Sequence, residues 1–184
     1  MNKISRLWAL VITISILALG AVVANSNSPS SAEGGCAGKA YVTNYAADTV
    51  SVINTATNAV VGSAIPSLIG PFGIAITPDG TKAYVTNANA DTVSVIDTAT
   101  NAVVGSAIPV GDVPLGIAIT PDGTKAYVTN LNAGTVSVIN TATDAVVGSA
   151  ITVGDAPIGI AICPAAVVPP TTPTDPAVVL KFTG

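Results

Sequence analysis

The chain has no histidine, one tryptophan, one methionine and two cysteines, and only 9% of its 184 residues are charged. Without imidazole, Ser-His triads, histidine metal sites and imidazole acid–base chemistry are excluded. Arginine occurs once, as Arg6, beside Lys3 and ahead of an uncharged apolar run of 18 residues from Leu7 to Ala24. With small Val22 and Ala24 at its end, residues 1–24 read as a signal peptide cleaved after Ala24. An uncleaved anchor is the rival, since 18 apolar residues just suffice to cross a bilayer. Cys36 follows Glu33-Gly34-Gly35, which is not a lipidation box.

The remainder carries four lysines, no arginine and ten acidic residues, a net charge of −6 against −4 for the whole chain. No basic patch exists to neutralise phosphates, so nucleic acid is not an expected partner, nor is a membrane beyond the signal segment. Apolar content of 49% comes mainly from Val, Ile and Ala, a composition suited to strands.

What fills the chain is one unit written three times. The repeats are 39–81, 82–124 and 125–167, preceded by a linker, 25–38, that holds Cys36. Aligned without gaps over 43 positions, the first two differ at 8 and the last two at 11, so one structural unit has been copied. In the middle copy, "AYVTN" (83–87), "TVSVID" (92–97), "AVVGSAI" (102–108) and "GIAIT" (116–120) read as four short strands. "TPDGT" supplies a turn back into the next copy, and no window has helical periodicity. Val and Ile stand next to Ala, Gly and Thr on both faces, so the sheets are expected to be covered on both sides. The seven residues Pro109–Leu115 are long enough to cross from an outer strand to the inner strand of the next sheet. That is a β-propeller blade, and 43 residues is a normal blade length. The expected fold class is all-β, three four-stranded antiparallel blades.

The text "AYVTN…TVSVI…T…VV…I…P.GIAITPDGTKAYVTN" closely resembles the YVTN-family β-propeller repeat of archaeal and bacterial surface proteins, over Lys39 to about Pro164. The resemblance implies a WD40-like propeller, a secreted or cell-surface location and no assigned catalysis. Family members commonly carry about seven blades against three here.

The repeat block starts on "AYVTN" and ends on a lone inner strand, "GIAIC" (159–163), the offset by which propellers close on themselves. Three blades fall below the usual minimum of four, whereas two chains together would give six. Cys163 replaces the Thr of Thr77 and Thr120, and Cys36 occupies the Asp place of Asp79 and Asp122. The expectation is a head-to-tail homodimer with Cys163 of each chain joined to Cys36 of the other; two free thiols, or a truncated copy of a longer propeller with open edges, are the alternatives. A Pro/Thr linker at 165–176 and a strand-like tail at 177–184 follow.

Chemistry-bearing motifs are sparse. "GGCAGK" (34–39) lacks the spacing of a phosphate loop. Asp48 and Asp91 recur in one loop and Asp112 and Asp155 in another, but Gly134 and Ile69 break the pattern, so turn chemistry is preferred to Ca²⁺. No cofactor, metal or catalytic residue is expected, and the chain is read as a non-enzyme. Seven of the eight differences between the first two repeats fall in two loops on one rim of the blade. A varied face on a fixed frame is expected to be a recognition surface for a protein or cell-surface component. Its candidates are Tyr45, Leu68, Ile69 and Phe72 in the first copy, with Asn89, Asp91, Asp112, Leu131, Asn132 and Asp155 in the others. A carbohydrate-binding propeller, and a fragment of a larger propeller hydrolase or oxidoreductase, are the alternatives.

Overall fold

The structure is a computed structural model that describes residues 35–66 and 68–163. All lie in the second of two compact units, Ala32–Gly184; the first, Met1–Ser31, lies outside the described residues, as do the expected signal segment, Pro/Thr linker and C-terminal tail.

The β-branched runs form strands, and each copy builds one antiparallel sheet. Blade 1 holds β1 (Lys39–Asn44), β2 (Thr49–Asn54) and β3 (Ala59–Val60) in that order. Blade 2 holds β4 (Pro71–Ile76), β5 (Lys82–Asn87), β6 (Thr92–Asp97) and β7 (Ala102–Pro109). Blade 3 holds β8 (Pro114–Ile119), β9 (Lys125–Asn130) and β10 (Thr135–Asn140), with β11 (Ala145–Val146) and β12 (Ile151–Thr152) both paired to β10. Apart from a 3-10 turn at Tyr45–Ala47, no helix occurs among the described residues. None there is long and apolar enough to cross a membrane.

The offset expected from the repeat boundaries is present. Among the described residues, blade 1 has no inner strand and Gly159–Cys163 has no ladder partner. The inner strands start two residues earlier than the alternation suggests, so the connection into β8 is Val110–Val113, four residues rather than seven. The cause is a bulge between Pro114 and Ile117, and between Pro71 and Ile74 in blade 2. There the Gly116 and Gly73 N–H groups leave the ladder and donate to the hydroxyls of Thr129 and Thr86, both at 2.8 Å. A threonine side chain can satisfy an amide that a bulge releases, which hydrophobic patterning does not reveal.

The central strands of blade 2, β5 and β6, are buried on both faces, which explains why they do not alternate cleanly. One seam packs Tyr41, Val50, Val52, Ile65 and Leu68 of blade 1 and its exit loop against Ala83, Val85 and Ile96 of blade 2. The other packs Tyr84, Val93, Val95 and Ile108 of blade 2 against Ala126, Val128 and Ile139 of blade 3. Apart from Leu68, the second set is the first shifted by one repeat. The outward ends lack this cover. Val42 is 42% exposed where Val85 and Val128 are fully buried, and Ile151 is 47% exposed where Ile65 and Ile108 are at 3%.

Candidate functional site

Polar side chains fixed in every copy hold the blades to one another. Lys39 Nζ donates to the Thr98 carbonyl at 2.7 Å, and the Tyr41 hydroxyl to Asn101 Oδ1 at 2.9 Å, so both reach from β1 to the β6–β7 turn of the next blade. One repeat on, Lys82 Nζ donates to the Thr141 carbonyl at 3.1 Å and pairs with Asp144 Oδ2 at 2.7 Å, while the Tyr84 hydroxyl donates to Asp144 Oδ1. Burial and the neighbouring carboxylate push the Tyr84 hydroxyl well above its ordinary range, keeping it a proton donor. Burial does the same, to a smaller extent, for Tyr41.

Near the inner strands, Thr43 donates its hydroxyl to the Phe72 carbonyl at 2.8 Å, Thr86 to that of Leu115 at 2.8 Å, and Thr129 to that of Ile158 at 3.0 Å. Glycine is required beside them. A Cβ on Gly73 would lie 2.2 Å from the Leu115 carbonyl oxygen, and one on Gly116 2.4 Å from that of Ile158. Sequence reading missed this Lys–Tyr–Thr apparatus. The available signal was that these polar residues keep their places in all three copies while the loops change.

The carboxylates considered for Ca²⁺ are explained locally. Asp48 Oδ1 accepts from the Gly70 N–H at 2.7 Å and Asp91 Oδ1 from that of Val113 at 2.9 Å, each fastening the long connection to its own turn. Asp48, Asp91 and Gly134 share a left-handed backbone, with φ of 55°, 56° and 60°, so Gly134 answers a conformational demand. No group of three or more Cys, Asp or Glu that could hold a metal occurs among the described residues. A cleft of about 650 Å³ lies between the "TPDG" turns of blades 2 and 3, lined by Asp79, Lys82, Asp122 and Thr141 among others. Its charges are engaged already. Asp79 accepts from Thr77 at 2.6 Å and from Thr81, and Asp122 from Thr120 at 2.5 Å and from Thr124. These threonine bonds hold both carboxyls below the usual range.

The varied rim carries most of its expected members at the surface. Tyr45, Ile69 and Phe72 are 50%, 54% and 48% exposed. Asn89, Asp112, Asn132 and Asp155 are also exposed and Leu131 is half-buried. The Tyr45 hydroxyl donates to Asn89 Oδ1 at 3.1 Å, and the Asn89 N–H to the Ile69 carbonyl at 3.4 Å, so blades 1 and 2 share one surface here. Leu68 is a correction. At 4% exposure it packs in the blade 1–2 core, because its connection folds back over Val50 and Val52. Asp91 is exposed, but its carboxylate serves the Val113 clamp. Leu68 stands where Gly111 does, and Gly111 donates its N–H to Asn130 Oδ1; the buried Asn87 Oδ1, one repeat earlier, has no partner. Cys36 is half-buried against the blade 1–2 core and Cys163 is exposed; both are free, so no bond joins them within one chain.

Among solved structures the chain is similar to hydrazine synthase of Kuenenia stuttgartiensis, at 31% identity over 68% of this chain and 36% of that one, with a TM-score of 0.63. A 6-phosphogluconolactonase-like protein of Bacteroides fragilis gives 22% identity, 66% and 38% coverage and a TM-score of 0.57. Apo AztD of Citrobacter koseri gives 20%, 66%, 34% and 0.53. The chain spans just over a third of the length of these structures. With three antiparallel sheets and an unclosed ring, the fold is that of a partial β-propeller. No protein-family model matches the sequence, and no curated protein does.

Proposed function

We propose that this chain is an exported, non-catalytic β-propeller of the YVTN type, serving at the cell surface or in the medium as an interaction module. The observation that carries the reading is the varied rim: exposed Tyr45, Ile69 and Phe72 stand where the copies differ, above seams whose apolar residues, Leu68 apart, do not change. Exposed aromatic and aliphatic side chains on a rigid frame suit capture of a protein or envelope component. The acidic residues nearby support binding over catalysis, because Asp48 and Asp91 are committed to backbone amides. A glycan is the second reading, favoured by two exposed rings on a rim that also carries the Asn89 side chain.

The test compares the wild type with Tyr45→Ala/Phe72→Ala on isolated cell envelopes and on a glycan array. At least tenfold weaker envelope binding by the variant, with its thermal transition kept, is expected. Equal binding by both proteins rejects the rim, and retention on sugars alone moves the reading to a lectin.

A further inference from the structure

The two outward faces of the described unit are the two halves of the seam already seen twice inside it. On blade 3, Tyr127, Val138 and Ile151 occupy the places of Tyr84, Val95 and Ile108, yet all three are more exposed. On blade 1, Ala40, Val42 and Ile53 occupy those of Ala83, Val85 and Ile96, and they are likewise more exposed. Lys125 extends the Lys39 and Lys82 series and is exposed, while the Asn54–Asn58 turn that would receive it, matching Asp97–Asn101, is open. Among the described residues blade 1 has no inner strand, and Gly159–Cys163 is an inner-strand sequence without a ladder partner.

We propose that two copies of this chain close one ring of six blades, each lending Gly159–Cys163 as the inner strand of the other's first blade. A self-complementary but unlike pair of faces must join head to tail, and such joints either close or run on as filaments. Two copies give six blades, within the range of four to eight known for propellers, and three would give nine. In the joint, Val42 of one copy goes under Tyr127 and Ile151 of the other. Lys125 and Tyr127 take the Thr55 carbonyl and Asn58. The Gly159 N–H goes to the Thr43 hydroxyl, as Gly73 does to Thr86 and Gly116 to Thr129. Each added strand thereby satisfies backbone groups that blade 1 otherwise leaves at an edge.

The joint also brings the cysteines together. Cys163 falls where Thr77 and Thr120 stand, and Cys36 where Asp79 and Asp122 stand. Those side chains touch, at 2.6 and 2.5 Å. A disulfide then forms between copies: the two thiols lose two protons and two electrons to the disulfide of a thiol oxidoreductase in the export compartment, which becomes a dithiol.

Native mass measurement on the full chain tests this, using a mixture of isotopically light and heavy protein oxidised together. Twice the chain mass, and a Cys36–Cys163 peptide that pairs light with heavy, are expected. Gly159→Ala is the diagnostic variant. A Cβ there meets nothing within 4 Å in one chain, but in the ring it strikes the partner's Phe72 carbonyl, as one on Gly73 would strike Leu115. With reductant present, Gly159→Ala and Val42→Lys should weaken association at least tenfold while the sheet spectrum is kept. Val60→Lys, on an exposed outer strand, should leave the mass unchanged. A single-chain mass at every concentration, larger multiples, a cysteine peptide within one chain, or an undiminished dimer in Gly159→Ala each overturns the proposal. Tyr45→Ala/Phe72→Ala removes no contact of this joint, so the ring and the recognition rim stand or fall separately.

Discussion

The heptapeptide AVVGSAI occurs unchanged in all three blades, yet only in blade 2 does it make one continuous strand, β7. In blade 1 it is β3 and an isolated bridge from Val50 to Ile65, and in blade 3 it breaks into β11 and β12. GIAI behaves alike: it is strand at 73–76 and 116–119, where β5 and β9 pair with it, and none at 159–162. Identical local text with unlike neighbours gives unlike structure. Strand formation here is settled by the neighbours a segment finds rather than by propensity, as the context dependence of strands requires. Blade 2 has both seams and the end blades one each, so the seams are the unit of stability, as in other stacked repeats.

Breaking a seam at its tightest point should have the largest effect. Gly73→Ala drives a Cβ into the Leu115 carbonyl, backbone against backbone, and should cost about 2–3 kcal/mol. Chemical denaturation of the full chain measures it; a loss below about 0.5 kcal/mol would show that blades 2 and 3 slide apart freely.

A smaller change sharpens the contrast between the seams. The first is latched by Lys39 and Tyr41 on neutral Asn101, the second by Lys82 and Tyr84 on Asp144. Asp144→Asn makes the second seam a copy of the first. With both partners about a third exposed, the expected loss is about 0.5 kcal/mol. The wild type should lose stability with added salt while the variant is less sensitive, since the screened pair is gone.

The smallest effect concerns acid. Threonine hydroxyls and amides hold Asp79 and Asp122 below the usual carboxylate range, so their contribution is present above about pH 4 and fades as pH falls through the depressed values. Replacing both by Asn keeps an acceptor without the titration. The acid limb of a melting-temperature profile should flatten in that variant, and an unchanged limb would place acid sensitivity elsewhere. Asp97, lowered by Thr100, is the control that stays in place.

Much of the fold was legible because one repeat explains three. The second and third strands of the middle copy begin where their β-branched runs do, and the apolar character of both faces foretold covered sheets. The inner strand was misjudged at its start because Thr86 and Thr129, not neighbouring strands, satisfy the bulged glycines. At the rim, Tyr45, Ile69 and Phe72 could be read from variation alone. Leu68 could not, because whether a loop folds back over Val50 depends on packing that no single repeat encodes. The latches were hidden for a related reason: Lys39 and Asn101 are 62 positions apart, and only the stacking of blades makes them neighbours.

The doubly used threonine has one more consequence. Because Thr86 accepts an amide from its own blade and gives its proton to the next, every 43-residue unit carries both the plug and the socket of its joint. A gene encoding such units can lengthen by tandem duplication, each new copy arriving with its fastening already made.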